Sequence, residues 1–145
     1  GQVVRGSHGI TVACDIMPEE MTCNGLQAVV LPGGMPGTLN LEQIEEVQNM
    51  IRHCMSEGIL IGAICAAPSI LGHMGLLQNK KAVCFPGFEG ELTGAQVLDV
   101  PVVRDGNIIT SKGAGTAFQF AFALAEAICS PSRAEILKAG IQWQE

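Results

Sequence analysis

The junction at Cys65 constrains the fold of this chain more than any other feature. An apolar run from Ile59 to Ile64 passes directly into Cys65-Ala66-Ala67-Pro68, with no polar loop between. The run predicts a buried strand, and Pro68 suits the first turn of a helix, where its missing N–H costs nothing. The residue between strand and helix must turn sharply, and small neighbours leave the backbone room to do so. A nucleophile elbow of this kind is typical of an α/β fold.

The rest of the chain alternates apolar runs with amphipathic segments, as an α/β fold requires. Predicted strands cover 3–4, 10–12, 28–31, 59–64, 80–85, 101–104 and 108–110. Predicted helices begin after Asn40, Cys65, Thr116 and Ser132, with Gly58 and Gly140 at two of the helix ends. No repeat or linker interrupts the 145 residues. We therefore predict one domain over 1–145, a flavodoxin-like three-layer sandwich with a mostly parallel sheet and helices on both faces.

Charge and hydropathy exclude several classes of function. The formal net charge is -6, from 8 basic and 14 acidic residues. Nucleic acid and anionic membranes call for a basic face, so we expect neither as a partner. No apolar run approaches the length of about 18 residues that a membrane-spanning helix needs.

The six cysteines are scattered singly and include no Cys-x-x-Cys pair or zinc-ligand spacing. This pattern predicts free thiols in a reducing compartment, which we take to be the cytoplasm, and no zinc site. Five of them are expected to act as small apolar residues: Cys14, Cys23, Cys54, Cys84 and Cys129. Of these five, Cys84, which precedes Phe85-Pro86, is the one that we would also consider for a functional role.

Cys65 differs from the other five because of its position. It stands at the carboxyl end of a predicted strand, where open α/β sheets bind ligands. It also stands at the start of a helix, whose positive end favours a thiolate. Gly33 and Gly34 follow the preceding strand, and their N–H groups, with the amide of Ala66, could form an oxyanion hole facing the sulfur.

Three stretches of this sequence resemble signatures of the DJ-1/ThiJ/PfpI superfamily, in matching order and spacing: 29–34, 63–68 and 109–116. The bacterial DJ-1/ThiJ-like branch, often labelled as thiazole monophosphate biosynthesis proteins, is the most similar. The resemblance implies a dimeric flavodoxin-like protein with Cys65 as nucleophile and Gly33 and Gly34 lining its pocket. It also suggests pocket or dimer-side roles for His8, Phe85, Pro86, Thr110 and Gly113.

The family's opening strand, loop and helix have no counterpart in residues 1–145. That unit of at least about 30 residues carries a glutamate that hydrogen-bonds the cysteine. Its strand is central in a flavodoxin-like sheet, so its neighbours would be left with an open edge. We therefore expect the unit to exist, either as a separate cleaved fragment or as sequence preceding Gly1.

The remaining departures concern histidine and a loop. Ala66 stands where the peptidase-like branch has His, and Phe85 stands where the human-type branch has His. His53 and His73 are expected to be structural, so a Cys-His peptidase dyad is unsupported. Ala114 replaces the Pro of a Gly-Pro-Gly-Thr loop, which should alter stiffness more than chemistry.

Two functional hypotheses follow, from different classes. In the first, the chain is a cofactor-free cysteine enzyme of the glyoxalase or deglycase type, acting on small 2-oxoaldehydes or their adducts. No carboxylate is an obvious substitute for the family glutamate, since Glu89 and Glu91 should be solvated. In the second, Cys65 is the oxidisable thiol of a redox sensor or chaperone. A class I glutamine amidotransferase ranks last, because no His-x-Glu follows Cys65, and nothing supports thiazole chemistry.

Overall fold

The structure is a computed structural model that describes residues 2–144. Within that range the strands are β1 (Val3–Arg5), β2 (Thr11–Ala13), β3 (Ala28–Leu31), β4 (Leu60–Ile64), β5 (Lys81–Ala82), β6 (Gln96–Val97), β7 (Val102–Asp105) and β8 (Ile108–Ser111). The α-helices are α1 (Gly37–Glu42), α2 (Glu45–Glu57), α3 (Pro68–His73), α4 (Ala117–Ile128) and α5 (Pro131–Gly140). Short 3-10 turns cover Pro18–Glu20, Glu89–Glu91 and Ala114–Thr116.

The main sheet has the strand order β3-β4-β8-β7. β4 pairs in parallel with β3 on one side and with β8 on the other, while β7 and β8 form an antiparallel hairpin around Gly106-Asn107. The apolar composition of β4 suits this place, because a strand with parallel partners on both sides is covered on both faces.

Helices cover the two faces of this sheet, and alternate residues of β4 show it. Ile61 and Ala63 belong to a core cluster with residues of α2 and α3, including Ile51 and Ile70. Leu60 belongs to a second cluster with Phe120 of α4. Because successive strand residues point to opposite faces, the two clusters lie on opposite sides of the sheet. The flavodoxin-like α/β sandwich predicted from the sequence is confirmed.

Two predicted helix starts are wrong. Asn40 lies inside α1, and the next helix, α2, has Ile44 at its N-cap with no side-chain cap. The last helix is capped by Ser130, whose Oγ accepts a hydrogen bond from the amide of Arg133 at 3.2 Å. Pro131 takes the first helical position, which allows the helix to begin two residues earlier than Ser132 predicts.

The predicted strand over 80–85 is shortened to β5, which pairs in parallel with β6. Beyond β5, the amide of Val83 donates to the side chain of Thr110 at 2.9 Å instead of continuing a backbone ladder. A side-chain acceptor ends the strand, and alternation of apolar residues cannot reveal such an acceptor.

Two features lie at the margins of the described chain. β1 and β2 form a separate exposed hairpin whose turn carries His8. β3 has a ladder partner on one side only within residues 2–144, and Val30 on it is 47% exposed. The expected extra strand–helix unit remains a prediction.

None of the described helices combines the length and apolar character needed to cross a bilayer.

Candidate functional site

Cys65 sits in a strained elbow between β4 and α3. Its φ is +68°, in the left-handed region that residues with a side chain rarely adopt. Two backbone hydrogen bonds hold it there: its amide donates to the carbonyl of Ser111 at 2.9 Å, and its carbonyl accepts from the amide of Phe85 at 2.8 Å. The half-buried side chain is thereby fixed at the carboxyl end of the sheet.

The loop after β3, which contains Gly33 and Gly34, packs its backbone directly against this elbow. A Cβ on Gly33 would lie 2.6 Å from Cys65 Cβ, 2.6 Å from the carbonyl oxygen of Ile64 and 2.9 Å from the amide nitrogen of Ala66. Those separations leave no room for a side chain, so the position requires glycine. Gly34 follows at φ +90°, and its carbonyl accepts from both the amide and the hydroxyl of Thr38 at 2.9 Å.

Two amide groups beside the cysteine have no protein acceptor. Within residues 2–144, no hydrogen bond leads from the N–H of Gly34 or the N–H of Ala66. Ala66 is 1% exposed, and buried amides without an acceptor are rare in folded proteins. The sequence predicts an oxyanion hole from these two groups and Gly33, whose N–H likewise leads to no acceptor within residues 2–144. Gly34 is exposed, so water can satisfy its N–H, whereas the Ala66 amide is buried.

Phe85 and Gly113 form another side of the site. A Cβ on Gly113 would lie 3.2 Å from the Phe85 ring, and the ring is 46% exposed. Thr116 holds the Gly113 loop by accepting from its amide at 3.1 Å and by contacting Ser111 Oγ at 2.7 Å. Pro86 lies instead in a neighbouring depression of about 510 Å³ that also includes Cys84.

Two other expected site residues lie in different settings. Thr110 is fully buried, and its hydroxyl accepts the amide of Val83 inside the sheet. His8 is in the exposed hairpin turn, where its Nδ1 lies 3.1 Å from Ser7 Oγ. The described contacts of these two residues do not join them to Cys65.

The other cysteines differ from Cys65 in burial or position. All six are free thiols. Burial, together with the nearby Glu89 and Cys65, raises the pKa of Cys84 to about 11. Burial also raises the pKa of Cys54, to which Cys23 contributes. Both buried cysteines are therefore protonated thiols at neutral pH, as small apolar residues would be.

A bridge centred on His73 was not foreseen from the sequence. Its Nδ1 lies 2.5 Å from Glu42 Oε1, and its Nε2 lies 2.7 Å from Glu91 Oε2. Hydrogen bonds to Glu91 and Glu42 raise the pKa of His73. The three residues come from α1, α3 and the turn Glu89–Glu91, and no spacing rule links positions so far apart.

The two carboxylates nearest in sequence to the Phe85-Pro86-Gly87 loop are thus already engaged. Glu91 contacts His73, and Glu89 Oε2 accepts the amide of Gly87 at 2.7 Å. Both carboxylates are exposed, as expected, and in addition each holds local structure through these hydrogen bonds. Within residues 2–144, no group of three or more His, Cys, Asp or Glu side chains could hold a metal ion.

A mostly parallel sheet with a strained cysteine between strand and helix defines a class of α/β proteins with a cysteine elbow. The model of the DJ-1/PfpI family matches residues 1–127. The chain belongs to this family, as its sequence motifs predicted.

Several curated proteins are similar to this chain. Protein DJ-1 homolog A of Arabidopsis thaliana is 37% identical over 135 residues, which are 91% of this chain and 34% of that protein. A Pyrococcus abyssi protein named a deglycase is 34% identical over 116 residues, covering 78% of this chain and 69% of that protein. The glutathione-independent glyoxalase DJR-1.2 of Caenorhabditis elegans is 30% identical over 136 residues, covering 92% and 72%. The chain thus spans about a third of the plant homolog.

Among solved structures, Drosophila melanogaster DJ-1beta is similar over the whole chain. The TM-score is 0.94 at 31% identity, covering 100% of this chain and 79% of that one. The fold and family are therefore those of the DJ-1 proteins.

Proposed function

We propose that this chain forms the catalytic body of a cofactor-free cysteine enzyme that acts on small 2-oxoaldehydes or their adducts. One observation carries the proposal: the buried amide of Ala66, next to the strained Cys65, has no protein acceptor, and the loop of Gly33 and Gly34 meets the same elbow at Gly33. Amides without an acceptor beside a fixed thiol suit a reaction in which a carbonyl oxygen gains negative charge. Relatives named deglycase and glyoxalase favour this class of substrate.

The chemistry begins at the aldehyde carbon. The Cys65 thiolate forms a carbon–sulfur bond, and the carbonyl π electrons move to the oxygen, which the two amides stabilise. A base then moves a proton from the aldehyde carbon to the neighbouring carbon through an enediol, leaving a thioester of the hydroxy acid. Water cleaves the thioester, releasing the hydroxy acid and regenerating the thiol.

The proton-moving base is not assigned to residues 1–145. Glu89 and Glu91 are held by Gly87 and His73. Family resemblance implies a glutamate from the opening strand–helix unit, which would add a strand beside β3. The resemblance also implies a homodimer, and the unpaired cysteines favour a reducing compartment such as the cytoplasm.

The enzyme proposal is tested by following methylglyoxal loss and hydroxy-acid formation with the native protein, after its intact mass has established its N-terminus. We expect Cys65→Ser to lower turnover to the level of buffer alone. Cys129→Ser is the matched control, since Cys129 is exposed at the end of α4 and should be dispensable. Full activity in Cys65→Ser would refute the proposal.

Redox sensing is the second candidate. It is favoured by the partial exposure of Cys65, in contrast with the burial of Cys84 and Cys54. Peroxide would convert Cys65 to sulfenic and then sulfinic acid without substrate turnover. Peptide mass analysis would show added oxygen on Cys65 in protein that leaves methylglyoxal untouched. Turnover lost in Cys65→Ser would exclude redox sensing as the sole function.

A further inference from the structure

His73 lies in a cleft between two segments of the chain, called here its two walls, and each wall is connected to Cys65 by backbone contacts. The cleft has a volume of about 220 Å³, and Met35, Leu39, Ser69, His73, Gly87, Phe88 and Glu91 line it. Glu42 and Glu91 approach the His73 ring from opposite sides. The ring therefore joins segments that no other described ion pair joins.

The first wall runs from the elbow to Glu42. Gly33 touches the elbow, and the carbonyl of Gly34 holds the first turn of α1 through Thr38. Glu42 is the last residue of α1. The position of its carboxylate therefore reports the position of the glycine loop that carries one of the two free amides.

The second wall runs from the elbow to Glu91. The amide of Phe85 donates to the carbonyl of Cys65, and the amide of Phe88 donates to the carbonyl of Phe85 at 3.1 Å. The amide of Glu91 continues the series by donating to the carbonyl of Phe88 at 3.0 Å. This short series of bonds links Glu91 to the cysteine backbone.

His73 ends α3, the helix that follows the elbow and begins at Pro68. A Cβ on Gly72 would lie 2.1 Å from the carbonyl oxygen of Glu91, so α3 and the second wall are already in backbone contact. The close backbone contact of the wall that carries Glu42 is at Gly33, beside the elbow and at the opposite end from Glu42, so the Glu42 end of this wall depends more on the His73 bridge.

Only the protonated ring can hold both walls. A neutral imidazole has one N–H donor and one acceptor, whereas a carboxylate only accepts. Both ring nitrogens face carboxylate oxygens, so the two hydrogen bonds together require the imidazolium. The charged groups facing the ring are Glu42 from α1 and Glu91 from the turn Glu89–Glu91, and α3 itself contributes none.

We propose that His73 is a positioning residue for Cys65: its imidazolium straps the two walls of the cysteine site together, and loss of its proton frees the wall carrying Glu42. The inference deepens the proposed function by giving that site a pH-dependent strap. Hydrogen bonds to both glutamates raise the pKa of His73, so the strap persists above the ordinary range of histidine and opens as pH rises through the raised value.

The test compares two thiol reagents at Cys65, read peptide by peptide. Iodoacetamide is small and fluorescein maleimide is bulky. Both react with the same thiolate, so the ratio of their rates cancels ionisation and reports access. We expect the bulky-to-small ratio to rise about two- to fivefold between about pH 6 and about pH 9, the range that an exposed charge pair can supply.

Three variants separate charge from shape. His73→Gln, which cannot be protonated, should give a high ratio at every pH. His73→Arg, always charged and with donors for both carboxylates, should give a low ratio at every pH. His53→Gln is the matched control: His53 lies on α2, no carboxylate contacts it in residues 2–144, and it should behave as the parent does.

The measurement does not depend on any aldehyde being a substrate, so its failure and that of the proposed enzyme are separate results. Circular dichroism first confirms that each variant is folded. A ratio in the parent protein that does not change with pH would overturn the proposal. So would His73→Gln and His73→Arg variants that both follow the parent curve.

Discussion

At the scale of single residues, Cys65 and Gly33 depend on each other. The left-handed backbone of Cys65 is unfavourable alone, and bonds to Ser111 and Phe85 compensate for it. Gly33 fills the space beside Cys65 Cβ with backbone alone, and a Cβ placed there would also lie 2.9 Å from the amide nitrogen of Ala66. The strained backbone of Cys65 and the close approach of Gly33 therefore both fix the position of the Cys65 side chain.

We expect Gly33→Ala to destabilise the fold by about 1–3 kcal/mol, because its methyl would lie 2.6 Å from both Cys65 Cβ and the Ile64 carbonyl. Urea unfolding measures the loss. Gly37→Ala is the control, since a Cβ there meets nothing within 4 Å and Gly37 already lies in α1. Equal stabilities of the two variants would contradict the steric argument.

At the scale of elements, short helices owe their position to tertiary contacts. α3 has six residues, too few to be stable alone, and it is held by the elbow and by the backbone contact between Gly72 and Glu91. α5, in contrast, carries its own start signal in Ser130 and Pro131. Local and tertiary causes thus act on different helices.

Ser130→Ala should lower the free energy of unfolding by about 1 kcal/mol, because the amide of Arg133 loses its acceptor. Ser132→Ala should cost less, since within residues 2–144 the one hydrogen-bond partner of Ser132 Oγ is Ser130 Oγ, at 3.0 Å. Thermal unfolding of both variants would decide between the two candidate caps. A larger loss from Ser132→Ala would restore the assignment made from sequence.

At the scale of the whole molecule, burial of thiols makes stability depend on alkaline pH. The pKa of Cys84 is raised from 9.0 to about 11. Between these values the unfolded chain releases a proton that the folded chain keeps. The contribution of Cys84 to stability is therefore complete below about pH 9 and is lost as pH rises toward 11.

Cys84→Ala should therefore lose less stability than the parent protein between about pH 8 and about pH 10.5. The difference in slope isolates Cys84 from the lysines and other cysteines that titrate in the same range. Urea unfolding at a series of pH values measures it, and Cys129→Ala is the exposed control. Parallel pH curves for the parent and Cys84→Ala would show that the burial of this thiol has no energetic consequence.

Much of this protein was determined by local sequence. Apolar runs of strand length gave β3, β4 and β8, and a strand running into small residues and Pro68 gave the elbow, because these signals act over a few neighbours. The prediction that Cys65, the glycine loop and Ala66 form a site rests on signals of the same local kind. Tertiary structure alone decided the start of α2, the early end of β5 at Thr110 and the bridge from His73 to Glu42 and Glu91. Each depends on partners distant in sequence, whose meeting is set by how strands and helices pack and not by any local preference.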